Sequence, residues 1–337
     1  MSLQVRPKVE ELYGRRMHHI EFVLKLGKEI QPAVVDLVQA AAEHDGHSPL
    51  GEHKFLRLSH GDDTSIGVLA WEEQRLMGYA QSVFFTDENG SRLACELVVH
   101  PEARGQGVGN LLLRHLFDVA ERYGAQYMDA WAYMDTPSAR ALAAAYAFRP
   151  ARVLLHLRRD IAGDVAEPCQ LPSGLRLARF RPGIDDREWL ALNARVFSHH
   201  PEQGRWTHVD LEARLREAWF DPDDFLVLRD AEGRMIAFNW LKVGRDAERD
   251  GAEIYVIGVA PEWAGRGIGT ALITLGVQHV AEQGCRHVCV YTDAENGPAL
   301  RLYDRMGFTG RHRDVCYRRL LEASPSPDSD GGRAAVG

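Results

Sequence analysis

Apolar and polar positions along this chain fall into two series that keep step with one another. Strand-like runs at 93–99 and 253–259 each lead into a glycine-rich turn, and then into helical patterns at 107–123 and 267–283. A further strand follows in each series, at 126–132 and 286–292, and then a short helix, at 137–146 and 298–306. Matching hairpins lie upstream, pairing 65–71 with 76–84 and 225–228 with 235–243. Helices are predicted at 32–44, 186–197 and 209–219, the last with Leu211, Leu215 and Trp219 on one face. A strand at 153–157 is expected to close the first series, and one at 315–319 the second.

The spacing between the series is constant. Gly107 and Gly267 lie 160 positions apart, and so do Phe148 and Phe308. Such an offset predicts two versions of one fold, and 337 residues are enough for two cores. The expected class is α+β, with two tandem domains, each a central mixed sheet flanked by helices. The boundaries read as 1–161 for the first domain, 162–174 for a linker rich in Ala, Gly, Pro and Asp, and 175–322 for the second. Residues 323–337, dominated by Ser, Pro, Asp and Gly, are expected to be disordered, and the first dozen residues to form a loose arm.

A formal net charge of -8 argues against a dominant nucleic-acid surface. No apolar run is long enough to span a bilayer, and the start of the chain lacks the apolar core of a signal peptide. Cys95, Cys169, Cys285, Cys289 and Cys316 form no C-x-x-C pair, which fits a reducing, cytoplasmic setting. The histidine groups His18-His19, His44 with His47, and His199-His200 offer no convincing ligand set, so no metal is expected. Neither a nucleic acid nor a membrane is an expected partner, and the protein reads as a monomer.

The glycine turns carry the candidate chemistry. The segment Val99-His100-Pro101-Glu102-Ala103-Arg104-Gly105-Gln106-Gly107-Val108-Gly109 returns as Val259-Ala260-Pro261-Glu262-Trp263-Ala264-Gly265-Arg266-Gly267-Ile268-Gly269. Alternate glycines let the backbone approach a ligand closely, and the helix behind each presents N–H groups with a partial positive charge. That is a diphosphate cradle needing no lysine, with Arg104 and Arg266 adding flanking charge. Neither copy shows a Rossmann G-x-G-x-x-G with a later acidic residue, nor a Walker G-K-[ST]. The remaining pattern, [QR]-x-x-G-x-[GA] after a V-x-P strand end, resembles the acetyl-coenzyme A loop of the GNAT family of N-acetyltransferases. The second copy departs from it, with Ala264 where the family has Gln or Arg. The run Asn296-Gly297-Pro298-Ala299-Leu300-Arg301-Leu302-Tyr303-Asp304-Arg305-Met306-Gly307-Phe308 resembles the second landmark of the same family.

This resemblance implies acetyl-CoA as cosubstrate. In the first domain it implies contacts from Leu97, Val98, Val99, Arg104, Gly105, Gln106, Gly107, Val108, Gly109 and Asn110. In the second it implies Ile257, Gly258, Val259, Ala264, Gly265, Arg266, Gly267, Ile268, Gly269 and Thr270, with Asn296, Gly297, Pro298, Ala299, Leu300 and Arg301 along the pantetheine arm. It also puts Tyr303 near the departing sulfur. Acetylating an amine needs a base, a donor to the oxyanion and an acid for the thiolate. Glu253, the Val259 N–H and Tyr303 are the candidates. In the constant register the first domain has Thr136 for Asn296, Ala143 for Tyr303, Ala147 for Gly307, and Leu93 opposite Glu253. It is therefore expected to bind coenzyme A without catalysing.

A narrower resemblance is to the mycothiol synthase family of tandem acetyltransferases. It rests on His200-Pro201-Glu202-Gln203-Gly204-Arg205-Trp206-Thr207, Glu217-Ala218-Trp219-Phe220-Asp221-Pro222, Asn239-Trp240-Leu241-Lys242-Val243 and Glu253-Ile254-Tyr255-Val256-Ile257-Gly258-Val259. Asp45-Gly46, Gly51-Glu52 and Glu96-Leu97-Val98-Val99-His100-Pro101 add to it in the first domain. It implies the cysteinyl amine of desacetylmycothiol as acetyl acceptor, contacted by Glu52, Glu202, Lys242, Glu253 and Tyr291. The alternatives are a tandem N-acetyltransferase for another small amine or a protein N-terminus, and a coenzyme A sensor without turnover.

Overall fold

The computed structural model describes residues 9–13, 16–50, 65–87, 90–161, 171–199, 203–244 and 251–321. The chain divides into two compact units, one running to Val153 and resuming at Arg313, the other Leu154–His312. In the first unit the sheet order is β1 (Val9–Tyr13), β2 (Arg16–Val23), β3 (Ser65–Glu72), β4 (Arg75–Asp87), β5 (Gly90–Val99), β6 (Tyr127–Ala132), and then the chain's last strand. In the second unit it is β7 (Arg149–Asp160), β12 (His287–Asp293), β11 (Gly251–Val259), β10 (Met235–Val243), β9 (Phe225–Arg229) and β8 (Arg176–Arg179). The last strand, β13, is Thr309–Leu320. Only β5 with β6 and β11 with β12 pair in parallel among the described ladders.

The closing strands are exchanged relative to the sequence expectation. His156 of β7 lies opposite Tyr291 of β12, in the second unit, while Tyr317 of β13 lies opposite Ala130 of β6, in the first. The boundaries 1–161 and 175–322 are corrected accordingly. An alternating strand must satisfy its backbone groups on some ladder, but the alternation does not say which. The expected loose arm is corrected in its last part, where Val9–Tyr13 pairs along β2; residues 1–8 lie outside the described residues. Residues 162–170 and 323–337 lie outside the described residues, and Leu171, within the expected linker, packs against Leu228 and Leu272 of the second unit.

Each sheet is covered on both faces. In the first unit α1 (Gln31–Asp45) buries Val34, Leu37 and Ala41 against Leu69, Tyr79 and Val98. Neighbouring residues on a strand point to opposite faces. Val68, Ala80 and Cys95 accordingly meet Leu112, Leu116 and Ala120 of α2 (Val108–Arg122). A short α3 (Pro137–Ala145) follows β6. In the second unit α4 (Asp186–Val196) and α5 (His208–Leu215) set Trp189, Leu192 and Leu211 on Phe225, Val227, Phe238 and Val256. On the other face Ile273, Val277 and Val280 of α6 (Ile268–Glu282) cover Ile254, Val288 and Val290, and α7 (Gly297–Arg305) comes after β12. Each fully buried aliphatic side chain contributes about 1.5–3 kcal/mol, so packing rather than propensity holds helices as short as α5. That helix ends earlier than predicted; Thr207 and Asp210 form a capping box at its start, and Trp219 reaches Trp240 from the turn beyond it, ring centroids 5.9 Å apart.

Candidate active site

In the second unit β11 and β12 pair only from Gly251 opposite His287 to Ile254 opposite Val290. Beyond that point no pairing joins them, and a wedge opens. On its far side β11 stays on β10, with the Ala260 N–H donating to the Ile236 carbonyl at 2.8 Å. Bonded and non-bonded pairs alternate along an antiparallel ladder. Val259, opposite Ala237, therefore turns its N–H and C=O into the wedge, as does Ile257, opposite Asn239. The first unit repeats this arrangement. There β5 and β6 pair from Arg92–Tyr127 to Cys95–Ala130, the His100 N–H donates to Met77 at 2.9 Å, and Val99 faces the opening.

The glycine turns open onto these wedges. Gly107 and Gly267 sit at φ 93° and 78°, a left-handed conformation that side chains disfavour, and each is the N-cap of its helix with no side-chain cap. A Cβ on Gly267 would meet nothing within 4 Å, so there glycine is required by the backbone conformation and not by packing. The first helical bonds start at Leu111 and Ala271. The N–H groups of Val108, Gly109 and Asn110, and of Ile268, Gly269 and Thr270, thus have no acceptor within the helix. This donor set fits a diphosphate. Arg104 is held elsewhere: both its terminal nitrogens bond Asp45 at 2.7 Å, and that guanidinium keeps the Asp45 carboxyl below its usual range. Arg266 lies over the Trp263 ring, 4.9 Å from its centroid.

Asn296 caps α7, its side-chain oxygen accepting from the Ala299 N–H at 3.2 Å, and Thr136 caps α3 in the same way through Ala139. The change from Asn to Thr therefore preserves the helix start. Tyr303 projects from α7 into the core, 5% exposed, with its ring 5.4 Å from Phe308. Burial raises its hydroxyl above the ordinary tyrosine range, so it stays protonated. Glu253 lies opposite Lys242 on β10 and Cys289 on β12, and Cys289 opposite Arg158 on β7. These four form one row across the sheet, on the face away from α6, because Ile254, Val288 and Leu157 turn toward α6. Burial, and then the Glu253 charge, push the Cys289 thiol up to about 12. The Lys242 ammonium sits 4.8 Å from the Trp219 ring centroid. Tyr291 is on the same face, two residues along from Cys289, and exposed. Glu52 and Glu202 lie outside the described residues.

The aromatic residues around Lys242 are a packed floor. Trp240 stacks on Phe225 at 4.5 Å, Arg214 stacks on Trp206 at 3.6 Å, and the Arg214 Nε donates to the Tyr255 hydroxyl at 3.1 Å. Much of the signature around 206–240 is thus core.

The first unit keeps a cavity of about 590 Å³ at its wedge, lined by Arg104, Gly107, Leu97, Tyr133, Ala143 and Tyr317 among others. Ala143 stands there without a phenol, as expected. The carboxylate comparison needs correction. Between Trp240 and Leu241 the register of β10 on β11 shifts, and Tyr255 is the extra residue of a β-bulge, whereas β4 and β5 pair regularly. Ala94, not Leu93, therefore corresponds to Glu253. A different carboxylate, Glu96, occupies the first wedge, 2% exposed, accepting from Gln81 at 3.0 Å and from the Tyr133 hydroxyl at 2.6 Å. Neither Glu96 nor the row partners Cys289 and Arg158 were singled out from sequence as site residues; period-two counting along β12 would have joined Cys289 to Tyr291.

Comparison with known proteins decides the family. The acetyltransferase (GNAT) family pattern matches twice, over 32–148 and 189–308. A mycothiol acetyltransferase of Thermobispora bispora is 42% identical over 293 residues, 86% of this chain and 96% of that protein. One of Kineococcus radiotolerans is 44% identical over 292 residues, covering 86% and 93%. The chain belongs to the mycothiol acetyltransferase family of tandem GNAT enzymes. A tandem GNAT protein from the clavulanic acid biosynthesis pathway shares the fold at TM-score 0.65 and 19% identity, over 91% of this chain and 99% of that one. A GCN5-related N-acetyltransferase from Sphaerobacter thermophilus does so at 0.64 and 24%, over 89% and 95%. Membership makes the chain an N-acetyltransferase, and the two wedges are the two copies of its fold. Among the described residues no helix is long and apolar enough to cross a membrane.

Proposed function

We propose that the second unit transfers acetyl from acetyl-CoA to the cysteinyl amine of desacetylmycothiol, releasing mycothiol and coenzyme A. The observation that supports this is a difference between the two units: Tyr303 on α7 and Glu253 on β11 of the second correspond to Ala143 and Ala94 of the first. Acetyl-CoA supplies the acetyl as a thioester, and residues 268–270, Ile257, Val259 and the turn at Gly267 are the groups that fit it. Glu253 takes the proton of the acceptor ammonium, directly or through water. An α-amine has a pKa near about 7.7–8.0, so the base has modest work to do. The Val259 N–H donates to the carbonyl oxygen as charge develops there. The amine nitrogen bonds to the acyl carbon, the carbon–sulfur bond breaks, and Tyr303 gives its proton to the departing sulfur; the second proton that nitrogen sheds on becoming an amide returns to the phenolate through solvent, and Glu253 releases the first to solvent.

Transfer is direct. The thiol of the row, Cys289, is held protonated near about 12 and is a poor nucleophile. The first unit, with its own glycine turn but Ala143 at the position of Tyr303, is proposed to hold coenzyme A without turnover. We also place the enzyme in the cytoplasm as a monomer. The test is coenzyme A release from acetyl-CoA with desacetylmycothiol, free cysteine, glucosamine and spermidine as acceptors. Coenzyme A is separated chromatographically, because the acceptor's own thiol would react with a thiol reagent. Higher kcat/KM for the cysteinyl conjugate is expected; equal values across the acceptors would end the assignment.

A further inference from the structure

The cavity of about 590 Å³ in the first unit joins two unlike regions. At one end stand Arg104 and Gly107 of the diphosphate turn; at the other stand Cys95, Ala130, Ala143 and Phe148, which belong to the core between the sheet and α2. The charged groups of its lining keep away from this inner end. Asp45 pairs with Arg104 at the turn, the His47 ring lies against the Asp45 carbonyl, and Glu96 points to the other face of β5 from Cys95. The inner end is small-residue ground when set against the second unit. Cys95–Ala130 on β5 and β6 answers to Ile254–Val290 on β11 and β12, the last bonded pair before each wedge. In the second unit Ile254, Val290 and Tyr303 pack with Phe308 in one core. The first unit keeps Phe148 in the place of Phe308 but has Cys95, Ala130 and Ala143 for the other three. Tyr317 returns part of the volume, since it lies opposite Ala130 where Leu157 lies opposite Val290. Its hydroxyl donates to Asp135 at 2.6 Å, which holds the ring at the wall. The net space is that of roughly seven heavy atoms, more than a close-packed interior leaves without an occupant.

The geometry points to the first unit as a site for a coenzyme A thioester whose linear, saturated acyl chain is longer than acetyl, about four to eight carbons, with the chain lying on Ala130, Ala143 and Phe148. Continuity of the cavity with the turn decides the occupant. A diphosphate at the N–H groups of Val108, Gly109 and Asn110 directs the thioester end along the wedge, and the carbons beyond the sulfur enter the apolar end. The second unit fills the equivalent space with its own side chains, so the two units divide thioesters by chain length. A dicarboxylic acyl group would set its far carboxylate among Cys95, Ala143 and Phe148, where desolvation opposes it. No bond forms or breaks at this site. The inference rests on the reading of the first unit as a holder of coenzyme A, and adds the class of thioester it holds.

The test is calorimetric titration of the full-length chain carrying Gly267→Val, which closes the second turn, with coenzyme A, acetyl-CoA, hexanoyl-CoA and succinyl-CoA. Each buried methylene improves affinity about three- to fourfold. Hexanoyl-CoA is therefore expected to bind about ten- to a hundredfold more tightly than acetyl-CoA, and succinyl-CoA no more tightly than acetyl-CoA. In the wild type the same preference should appear at one of two sites. Ala143→Phe is expected to cancel most of the gain and Ala130→Val part of it, each leaving the Kd for acetyl-CoA within about twofold. A thermal melt checks folding, and if one variant fails to fold the other carries the comparison. Equal Kd values for hexanoyl-CoA and acetyl-CoA overturn the acyl site alone. So does a gain that persists undiminished in the folded variants, or one that survives addition of Gly107→Val. A Gly267→Val chain that melts like the wild type yet binds no coenzyme A overturns the first unit's role as a holder and the acyl site together.

Discussion

Replacing Tyr303 by Phe removes one oxygen from the proposed proton path and little else. The ring is 5% exposed and packed at 5.4 Å on Phe308, and phenylalanine fills the same space. Loss of stability is therefore expected to stay below about 1 kcal/mol, since the hydroxyl's removal also ends the cost of burying it. Loss of rate is expected to be large. A positioned general acid contributes about 10²–10⁴-fold, equivalent to about 2.7–5.4 kcal/mol of barrier. The assay is kcat by chromatographic separation of coenzyme A at saturating acetyl-CoA, with a thermal melt as control for folding. Burial raises the Tyr303 pKa above its usual value of 10.0, so the hydroxyl remains a donor throughout the neutral range and imposes no alkaline fall in rate there. The same shift has a stability sign: the contribution is full below about pH 10, where the unfolded chain also keeps its proton, and is lost as pH rises through the higher folded value. A Phe variant with an unchanged melt and unchanged kcat would refute the role of the phenol.

Further outcomes follow from the loops and the buried carboxylates. Gly267→Val forces a branched side chain into φ 78° at the second turn and should abolish turnover, whereas Gly107→Val, at φ 93°, should block coenzyme A binding to the first unit by calorimetry while leaving kcat intact. Asp45→Ala releases Arg104 from its two 2.7 Å bonds, and the first unit should then bind coenzyme A more tightly, seen as a lower Kd; a weaker one would mean that the pair shapes the turn. Burial works to raise the Asp135 pKa, but hydrogen bonds from Tyr317, Arg313 and Arg140 outweigh it and the net shift is downward. Its contribution is therefore present above the usual carboxylate pKa and lost as pH falls through the folded value, and Asp135→Asn should lower stability by about 2 kcal/mol in urea melts at pH 7, with the difference shrinking as pH falls below the usual carboxylate range.

The paired turns, the helices behind them and the contrast of Tyr303 with Ala143 were legible because glycine spacing and a constant offset survive without knowledge of partners. What an alternating run cannot state is its neighbour. The strands at 153–157 and 315–319 are both visible, yet each completes the sheet of the other half, so the sequence pattern does not bring His156 beside Tyr291. The bulge at Tyr255 is a second blind spot, since one extra residue in β11 turned the comparison of Glu253 from Ala94 to Leu93. Val9–Tyr13 gives no strand signal because Glu10 and Glu11 interrupt its apolar pattern, although backbone pairing on β2 suffices to hold it. Glu96 falls outside a comparison made at the position of Glu253, because it lies two places further along the strand than Ala94, where it lines the first wedge.

Which wedge performs the transfer is read directly by a crystal structure with coenzyme A and desacetylmycothiol bound. It should show the acceptor nitrogen between Glu253 and the coenzyme A sulfur, with the Tyr303 hydroxyl facing that sulfur. An acceptor seated in the first unit, against Glu96 and Ala143, would contradict it.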